Sequence, residues 1–280
     1  MKFGFIGAGK VGFCLGRHLV DKGQTVVGYA SKSPEPAKEA AIRTGSAYFP
    51  EPRALVKAAD FIFLTVPDGS IAPVASSLAT GPVNGKIFAH CSGSLASTVL
   101  EPLKTAGALG LSVHPLMAIP DKYRSHELLA GAFLAIEGDE PALSQALSLM
   151  ASLGHETKPL TAAQKTLYHC AASVVSNFAV ALAFLGAELL TSCGLEEAKT
   201  PLFQLALNNA RSIVDYGPVA ALTGPVERGD VATVAGHLAA LNPADRELYR
   251  LLAQKLLKVA ALKKPDHDYG PLAELLAKTS

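Results

Sequence analysis

Tryptophan is absent from this chain, and aromatic residues make up only 6% and charged residues 18% of it. Hydrophobic residues nevertheless account for 49%, which excludes a disordered chain and predicts a large core. The formal net charge is +1 and the Lys and Arg residues are scattered, so nothing indicates a nucleic-acid partner. With 280 residues, the chain is expected to form two domains of a helix-rich globular protein.

Cysteine is also scarce, and the four cysteines form no C-x-x-C pair that would hold a metal or a redox-active disulfide. They stand far apart, at Cys14, Cys91, Cys170 and Cys193. Free thiols of this kind predict a reducing, cytoplasmic location. No targeting segment is expected, because the first residues have a strand pattern and Lys10 interrupts any apolar signal-peptide core.

Long apolar runs are few, and only residues 171–190 are long enough to span a bilayer. This run contains Ser173, Ser176, Asn177 and Glu188, and no second span accompanies it. We therefore expect a core or interface helix and no membrane partner.

The most informative stretch is a glycine-rich turn near the N-terminus. It follows an apolar strand pattern at residues 2–6 and precedes a helix pattern. Strand, G-x-G-x-x-G and helix in this order are the context of a dinucleotide-binding fingerprint, in which helix N–H groups face a pyrophosphate. The predicted cofactor-binding residues here are Gly7, Ala8, Gly9, Lys10, Val11 and Gly12. The alternative is a tight structural turn without a ligand.

The end of the second predicted strand, residues 25–29, indicates which dinucleotide binds. An NAD site places Asp or Glu there to hold the ribose 2′-hydroxyl. This chain has Ser31 and Lys32 instead, and the first acid is Glu35, beyond a proline. Hydroxyls beside a cation suit a 2′-phosphate, so we predict NADP rather than NAD. An ordinary polar turn is the alternative.

Strand patterns alternate with helix patterns through the first half of the chain, which predicts an α/β domain with a doubly wound, mainly parallel Rossmann sheet. The apolar run at residues 61–66 is typical of a strand buried on both faces. Ligands bind beyond the carboxyl ends of such strands, so Val66, Pro67 and Asp68 are predicted cofactor contacts. Asp68 could instead cap a helix that starts near Ile71.

Two further predicted strands also end in polar residues. His90 and Ser92 follow residues 86–89, and His114 follows residues 109–113. Because parallel strands share a carboxyl edge, we expect these side chains and Asp68 to line one crevice, with Ser92 and His114 as substrate-binding residues. For each histidine alone, a structural hydrogen bond is the alternative.

From residue 162 onward the pattern is helical, which predicts an all-α C-terminal domain. We expect a cofactor domain at residues 1–158 and a substrate and dimerisation domain at residues 159–280. The first helix of the second domain is predicted at residues 162–192, with Thr161 as its N-cap and Gly194 just beyond its end.

Lys165 and His169 stand one turn apart on this predicted helix, so they share one stripe of its surface. Hydride delivery to a carbonyl or imine needs a proton donor, and lysine and histidine are suitable acids when burial lowers their pKa. We predict Lys165 and His169 as catalytic residues. The alternative is that both side chains meet solvent or a carboxylate at the domain boundary.

The segment ALTGPVERGD, residues 221–230, interrupts good helix patterns with two glycines and a proline. Arg228 is predicted to bind an anionic group of the substrate, because a guanidinium binds carboxylate or phosphate in a fork. Asp230 is predicted to cap a helix at residues 231–241.

Together these motifs resemble a family of NADP-dependent oxidoreductases with a Rossmann-like N-terminal domain and a helical C-terminal domain of formerly unknown function. The family is distantly related to 6-phosphogluconate dehydrogenase, 3-hydroxyisobutyrate dehydrogenase and pyrroline-5-carboxylate reductase. The matching segments run across nearly the whole chain: GAGKVG (7–12), HCSGSL (90–95), HPLMAIPD (114–121), KTLYHCAASVVSN (165–177) and LTGPVERGD (222–230).

The resemblance implies an NADP cofactor, a helical domain that often supports homodimers, and a small-molecule substrate. In the hydroxyisobutyrate group, a lysine and an asparagine one helical turn later act on the substrate. Lys165 matches that lysine, but His169 stands in the asparagine's place, so hydroxy-acid dehydrogenation does not carry over directly. Asn177, in the same segment, is a further candidate substrate-binding residue. We expect hydride transfer to or from a small, anionic carbonyl, imine or hydroxy compound.

Two alternatives to this function remain open. Prephenate dehydrogenases carry a similar His-Pro-hydrophobic segment after a sheet strand, comparable with His114-Pro115 here. A non-catalytic NADP-binding sensor or scaffold would also retain the glycine turn. A deazaflavin cofactor is a less favoured substitute for NADP, since related folds use one.

Overall fold

The computed structural model describes residues 1–278 of the chain, which divide into two compact units. The first unit is Met1–Ala179, and the second runs from Val180 onward. The division lies within one long helix. The separation of domains between residues 158 and 159 stays a prediction.

One sheet of eight strands forms the centre of the first unit. The strands are β1 (Lys2–Ile6), β2 (Thr25–Ala30), β3 (Ala47–Tyr48), β4 (Phe61–Leu64), β5 (Ile87–His90), β6 (Leu109–Pro115), β7 (Leu134–Gly138) and β8 (Thr157–Pro159). Their spatial order is β3-β2-β1-β4-β5-β6-β7-β8, and only β6 and β7 pair antiparallel. The predicted doubly wound, mainly parallel sheet is confirmed.

Six helices connect the strands of this unit. They are α1 (Lys10–Asp21), α2 (Pro34–Thr44), α3 (Pro52–Ala58), α4 (Asp68–Leu78), α5 (Glu101–Thr105) and α6 (Ala142–Ser152). The segment before α5 is not a continuous helix. That segment is a 3-10 turn, Ser97–Leu100, followed by α5, whose first turn contains Pro102. Proline lacks the N–H that a continuous helix would need there.

Alternating side chains of the strands pack into separate clusters on the two faces of the sheet. Phe3, Phe5 and Phe63 stack on one face, with ring centroids of Phe5 and Phe63 5.2 Å apart. Ile62 and Leu64 point into the other cluster. The period of two along a strand explains why these runs are apolar throughout, since both faces are covered by helices.

Helix α7 (Ala162–Ser192) has the predicted bounds. Thr161 precedes it, and its backbone N–H and hydroxyl both donate to Gln164 Oε1, at 2.9 and 3.0 Å. The helix is followed by Gly194, whose φ of 71° lies in the left-handed region that favours glycine.

The second unit contains the end of α7 and four further helices: α8 (Lys199–Ala221), α9 (Val231–Ala240), α10 (Pro243–Lys263) and α11 (Gly270–Ala277). Within residues 1–278, no strand follows β8, so the all-helical prediction is confirmed. Asp230 caps α9, as predicted, since its Oδ1 accepts the Thr233 N–H at 3.0 Å. Val234, Ala253 and Leu272 are central to the core of this unit.

Candidate active site

The glycine turn between β1 and α1 is shaped by close backbone contacts. Gly7 has a φ of 107°, and a Cβ there would overlap the carbonyl oxygen of Thr65 at the end of β4. A Cβ on Gly12 would overlap the carbonyl oxygen of Gly7. Thr65 Oγ1 also donates to that carbonyl oxygen, at 2.7 Å. These contacts require glycine at both positions and attach the turn to β4.

Gly9 differs from the other two glycines because a Cβ there would meet no heavy atom within 4 Å. Gly9 is exposed and immediately precedes α1, which begins at Lys10. The first N–H groups of a helix have no carbonyl partner in the helix itself and carry the positive end of its dipole. The open space in front of Gly9 therefore suits a pyrophosphate, and the turn fits the diphosphate of a dinucleotide.

Beyond β2 lie the two residues predicted to select NADP. Ser31 is half-buried and Lys32 is exposed. Glu35, the first acid after Lys32 in the sequence, forms an ion pair with Lys38 at 2.9 Å. Lys32 belongs to no ion pair in the described part of the chain, so its charge is free to meet a 2′-phosphate.

Asp68 connects the end of β4 to the end of β5. It is the first residue of α4, which starts three residues earlier than predicted, and its side chain forms no cap hydrogen bond. Instead, Ser92 Oγ donates to Asp68 Oδ2 at 2.7 Å. Ser92 Oγ in turn accepts the Leu95 N–H at 3.1 Å. Asp68 was expected either to contact the cofactor or to cap a helix. The capping alternative is wrong, and the carboxylate orients Ser92 instead.

His90 is completely buried at the end of β5. Its Nδ1 accepts the Ser92 N–H at 3.2 Å, and its Nε2 lies 3.2 Å from the carbonyl oxygen of Ala96, to which it can donate. Burial, and next the charge of Lys165, lower the pKa of His90 to about 4. This side chain is a neutral, hydrogen-bonded structural group.

Lys165, in the first turn of α7, is also buried, with 1% of its surface exposed. Its Nζ donates to the carbonyl oxygen of Ser92 at 3.1 Å and to Ser112 Oγ. Burial lowers the pKa of Lys165, opposed by the charge of Glu137. Glu137, on β7, accepts hydrogen bonds from both the N–H and the hydroxyl of Ser97, at 2.7 and 2.8 Å.

His114, at the end of β6, contacts the same helix. Its Nδ1 lies 3.0 Å from the Tyr168 hydroxyl, and its ring meets that of His169 edge-on, with centroids 5.9 Å apart. Burial, then the charges of Lys165 and His169, lower the pKa of His114 to about 4. Gly93 lies between the two imidazoles: a Cβ there would overlap the His169 ring and come within 2.9 Å of His114 Nε2.

A cavity of about 250 Å³ joins the start of α1 to the end of β6. Its lining consists of Lys10, Val11, Cys91, His114, Pro115, Met117 and Ile119. Burial raises the pKa of the Cys91 thiol to about 12, so this cysteine is not a thiolate nucleophile. His114 is thus a cavity residue with an ionisable group suited to proton transfer.

One predicted site residue of the first unit lies apart from this cluster. Asn177 is exposed on α7, twelve residues after Lys165, which corresponds to about 18 Å along the helix axis. Arg228 belongs to the second unit, where it is exposed just before the cap of α9.

Sequence reasoning missed Tyr168, Ser112 and Glu137. Tyr168 is three residues after Lys165, so helical spacing could have identified it as a neighbour on the same face. Ser112 and Glu137 lie inside strands, where nothing in the pattern distinguishes a polar residue near a site from one that faces solvent.

Two family models match separate regions of the chain. One describes a Rossmann-like domain and covers residues 1–115, and the other describes a domain of unknown function, DUF2520, and covers residues 132–256. No curated protein matches the chain.

Solved structures match over nearly the full length. A protein from Thermotoga maritima is 26% identical, with a TM-score of 0.76 over 94% of this chain and 99% of its own. A Bacteroides fragilis protein named as a candidate NADP oxidoreductase is 25% identical, with a TM-score of 0.74 over 92% and 98%. A reductive aminase from Aspergillus terreus, solved with NADPH and ethyl-5-oxohexanoate, shares the fold at 19% identity, with a TM-score of 0.61 over 94% and 90%.

The glycine turn, the sheet order and the helical second half agree with these matches, which bear out the resemblance noted from the sequence. The chain thus resembles a Rossmann-like domain over residues 1–115 and a DUF2520 domain over residues 132–256.

Proposed function

We propose that this protein is an NADP-dependent oxidoreductase that transfers hydride to or from a small, anionic carbonyl, imine or hydroxy compound. The observation that carries the proposal is the cavity between the start of α1 and His114. A phosphate-binding turn and a proton-transfer group open onto the same space, as hydride transfer requires. At about 250 Å³, the cavity is smaller than the ~300–1,000 Å³ of drug-sized ligand pockets, which favours a small substrate.

The cofactor is assigned to residues of the first unit. Gly7, Gly9 and Gly12 would hold the diphosphate, and Ser31 with Lys32 would hold the 2′-phosphate. Ala8, Lys10, Val11, Val66, Pro67 and Asp68 complete the proposed contacts. When bound, NADPH supplies the hydride. The NADP-related names of two of the similar structures support this cofactor over NAD or a deazaflavin.

The remaining predicted site residues, except Asn177, are assigned to substrate chemistry. Lys165 or His169 supplies a proton, and Ser92 and His114 contact the substrate. Arg228 is proposed to pair the anionic group of the substrate. Asn177 stands about 18 Å along α7 from Lys165, so we do not assign it to the same small molecule. The imine-reducing relatives make a C=N compound a specific candidate, since a reductive aminase shares the fold.

The test is oxidation of NADPH by the wild-type protein with a panel of small keto acids, cyclic imines and hydroxy acids. Turnover with one class supports the proposal and names the substrate group. Absence of NADPH binding in a thermal-shift titration would overturn it, because a ligand that binds the folded state must raise its stability. Wild-type turnover in both Lys165→Met and His169→Ala would end the assignment of these two residues as proton donors.

We further propose a homodimer through the helical region. Helix α7 exposes large apolar side chains, among them Val175 at 78% and Phe178 at 58%, and α8 exposes Val214 at 84%. Within the described residues, α7 is also the one helix long and apolar enough to cross a membrane. Its first turns are hydrogen-bonded to the sheet through Lys165, so a second copy of this chain, rather than lipid, is the proposed cover. A cytoplasmic location is part of the same proposal.

A further inference from the structure

The hydrogen bond between Tyr168 and His114 determines which nitrogen of the imidazole is available to a ligand. The Tyr168 hydroxyl lies 3.0 Å from His114 Nδ1, and the two rings are nearly perpendicular, at 87°. Because Nδ1 is occupied by this contact, only Nε2 is left for a molecule in the cavity that His114 lines.

The direction of the hydrogen bond follows from the acidity of the two groups. A phenol is a stronger acid than a neutral imidazole N–H, and an imidazole nitrogen is a better acceptor than a phenolic oxygen. Burial raises the pKa of Tyr168 to about 12, so the phenol keeps its proton, and the lowered pKa of His114 keeps the imidazole neutral. Tyr168 therefore donates to Nδ1, and the proton of the ring resides on Nε2.

Glycine at position 93 allows His114 and His169 to lie close together. A Cβ on Gly93 would overlap the His169 ring and lie 2.9 Å from His114 Nε2. A larger residue there would therefore displace one of the two imidazoles and with it the donor nitrogen.

We infer that Tyr168 is a positioning residue that holds His114 as the Nε2–H tautomer, so that the cavity presents a proton donor to a carbonyl oxygen or an imine nitrogen. This inference rests on the proposed function and refines it: His114, rather than Lys165 or His169, hands the proton to the substrate, because an imidazole that carries its proton on Nε2 presents a donor to that atom. The site is therefore set for reduction of a C=O or C=N group.

A hydride from bound NADPH, which would be oxidised to NADP⁺, would form a C–H bond at the carbon and move the π electron pair onto oxygen or nitrogen. That atom takes the proton from His114 Nε2, while His114 Nδ1 takes the phenolic proton of Tyr168. Tyr168 is half-buried, so solvent can return a proton to the phenolate. The transfer is favourable because an alkoxide or amide anion is a stronger base than a phenolate.

The chain contains a matched control for Tyr168. In the second unit, the Tyr249 hydroxyl lies 2.9 Å from His237 Nδ1, and the rings are 5.7 Å apart at 82°. Tyr249→Phe therefore removes the same kind of hydrogen bond from a histidine that does not line the cavity. Any effect confined to Tyr168→Phe cannot come from the loss of a Tyr–His contact in general.

The experiment compares wild type, Tyr168→Phe and Tyr249→Phe by ¹⁵N NMR of the histidine rings, by NADPH titration and by steady-state kinetics with the best compound of the panel. We expect His114 in the wild type to show a protonated Nε2 and an unprotonated Nδ1. Tyr168→Phe should shift this tautomer ratio, lower kcat about tenfold or more, and leave KM and NADPH affinity nearly unchanged. Tyr249→Phe should change none of these properties.

A wild-type His114 protonated on Nδ1, or a Tyr168→Phe variant with wild-type kcat, would overturn the inference while the proposed function stands. A wild type that binds no NADPH would instead end the proposed function, whichever tautomer NMR finds, and the positioning role of Tyr168 with it.

Discussion

Lys165 Nζ donates a hydrogen bond to the backbone carbonyl oxygen of Ser92, 3.1 Å away, and thereby attaches the first turn of α7 to the turn that follows β5. Ser112 Oγ, on β6, lies within reach of the same carbonyl oxygen, at 3.4 Å. One buried ammonium group thus connects a helix with the ends of two strands. Since burial lowers the pKa of Lys165, this connection costs folding free energy at neutral pH while it organises the site.

The first prediction is that Lys165→Met separates stability from activity. Methionine fills a similar volume without a buried charge, and Ser112 Oγ can still donate to the Ser92 carbonyl oxygen. We therefore expect an unchanged or higher free energy of unfolding at pH 7, together with a loss of turnover of about a hundredfold. Urea denaturation and NADPH oxidation measure the two effects.

Lys86→Met is the control for this variant, because Lys86 Nζ donates to the carbonyl oxygen of Ala59 at 2.5 Å, at the opposite end of β5. It should leave turnover unchanged. A Lys165→Met protein that is markedly less stable, yet fully active, would show that the ammonium group serves folding alone.

The second prediction concerns Gly9 and Gly12 of the N-terminal turn, which differ in the space available for a side chain. Gly9→Val places its side chain in open space and should change the free energy of unfolding by no more than about 0.5 kcal/mol, while NADPH affinity falls at least about tenfold. Gly12→Ala should instead lower stability, because its Cβ would overlap the carbonyl oxygen of Gly7. Thermal unfolding with and without NADPH distinguishes the two. Undiminished NADPH binding by Gly9→Val would contradict the assignment of the phosphate site.

The third prediction tests the choice of NADP. Lys32→Ala should weaken NADPH binding about tenfold and leave NADH binding unchanged, since one charge-assisted hydrogen bond to a 2′-phosphate is lost. Isothermal titration with both nucleotides gives the comparison, and Lys38→Ala is the control, because Lys38 is paired with Glu35. Equal losses for both nucleotides would argue for a general electrostatic effect and against 2′-phosphate recognition.

The fourth prediction is a dependence of stability on pH that His90 causes. Its pKa is lowered to about 4 in the folded protein, so between about pH 6.5 and pH 4 the unfolded chain binds a proton that the folded chain does not. Folding stability should therefore fall as the pH decreases through this range, by up to about 3 kcal/mol from this residue. His90→Gln should lose that part of the dependence. Urea denaturation at several pH values measures it, and parallel curves for the two proteins would contradict the prediction.

The fifth prediction is that α7 mediates self-association. Val175→Asp should convert a dimer to a monomer in sedimentation experiments, because a charge on a buried apolar interface is strongly unfavourable. Ile42→Asp is the matched control, since Ile42 is an equally exposed apolar residue, at 81%, on α2. A wild type that sediments as a monomer at all concentrations would exclude the homodimer.

Much of the fold could be predicted because local pattern and position determine it. Residues 162–192 form one helix in both the prediction and the structure, since its start and its glycine stop are local signals. Strand β8, Thr157–Pro159, was not predicted. Its three residues, Thr, Lys and Pro, have no strand pattern of their own and form a strand only by pairing with β7. Asp68 likewise needed the structure, since a carboxylate at a helix start can bind its own helix or a neighbouring serine.

The amino-acid sequence alone determined the glycine turn, the mainly parallel sheet and the helical second half, because glycine spacing and hydrophobic periodicity act over a few residues. Only the tertiary structure decided that Lys165 is buried behind Ser92, and that Tyr168 and His114 share a hydrogen bond across 54 positions of the chain. Such pairings depend on how strands and helices pack, and burial then determines which of the ionisable groups carry charge.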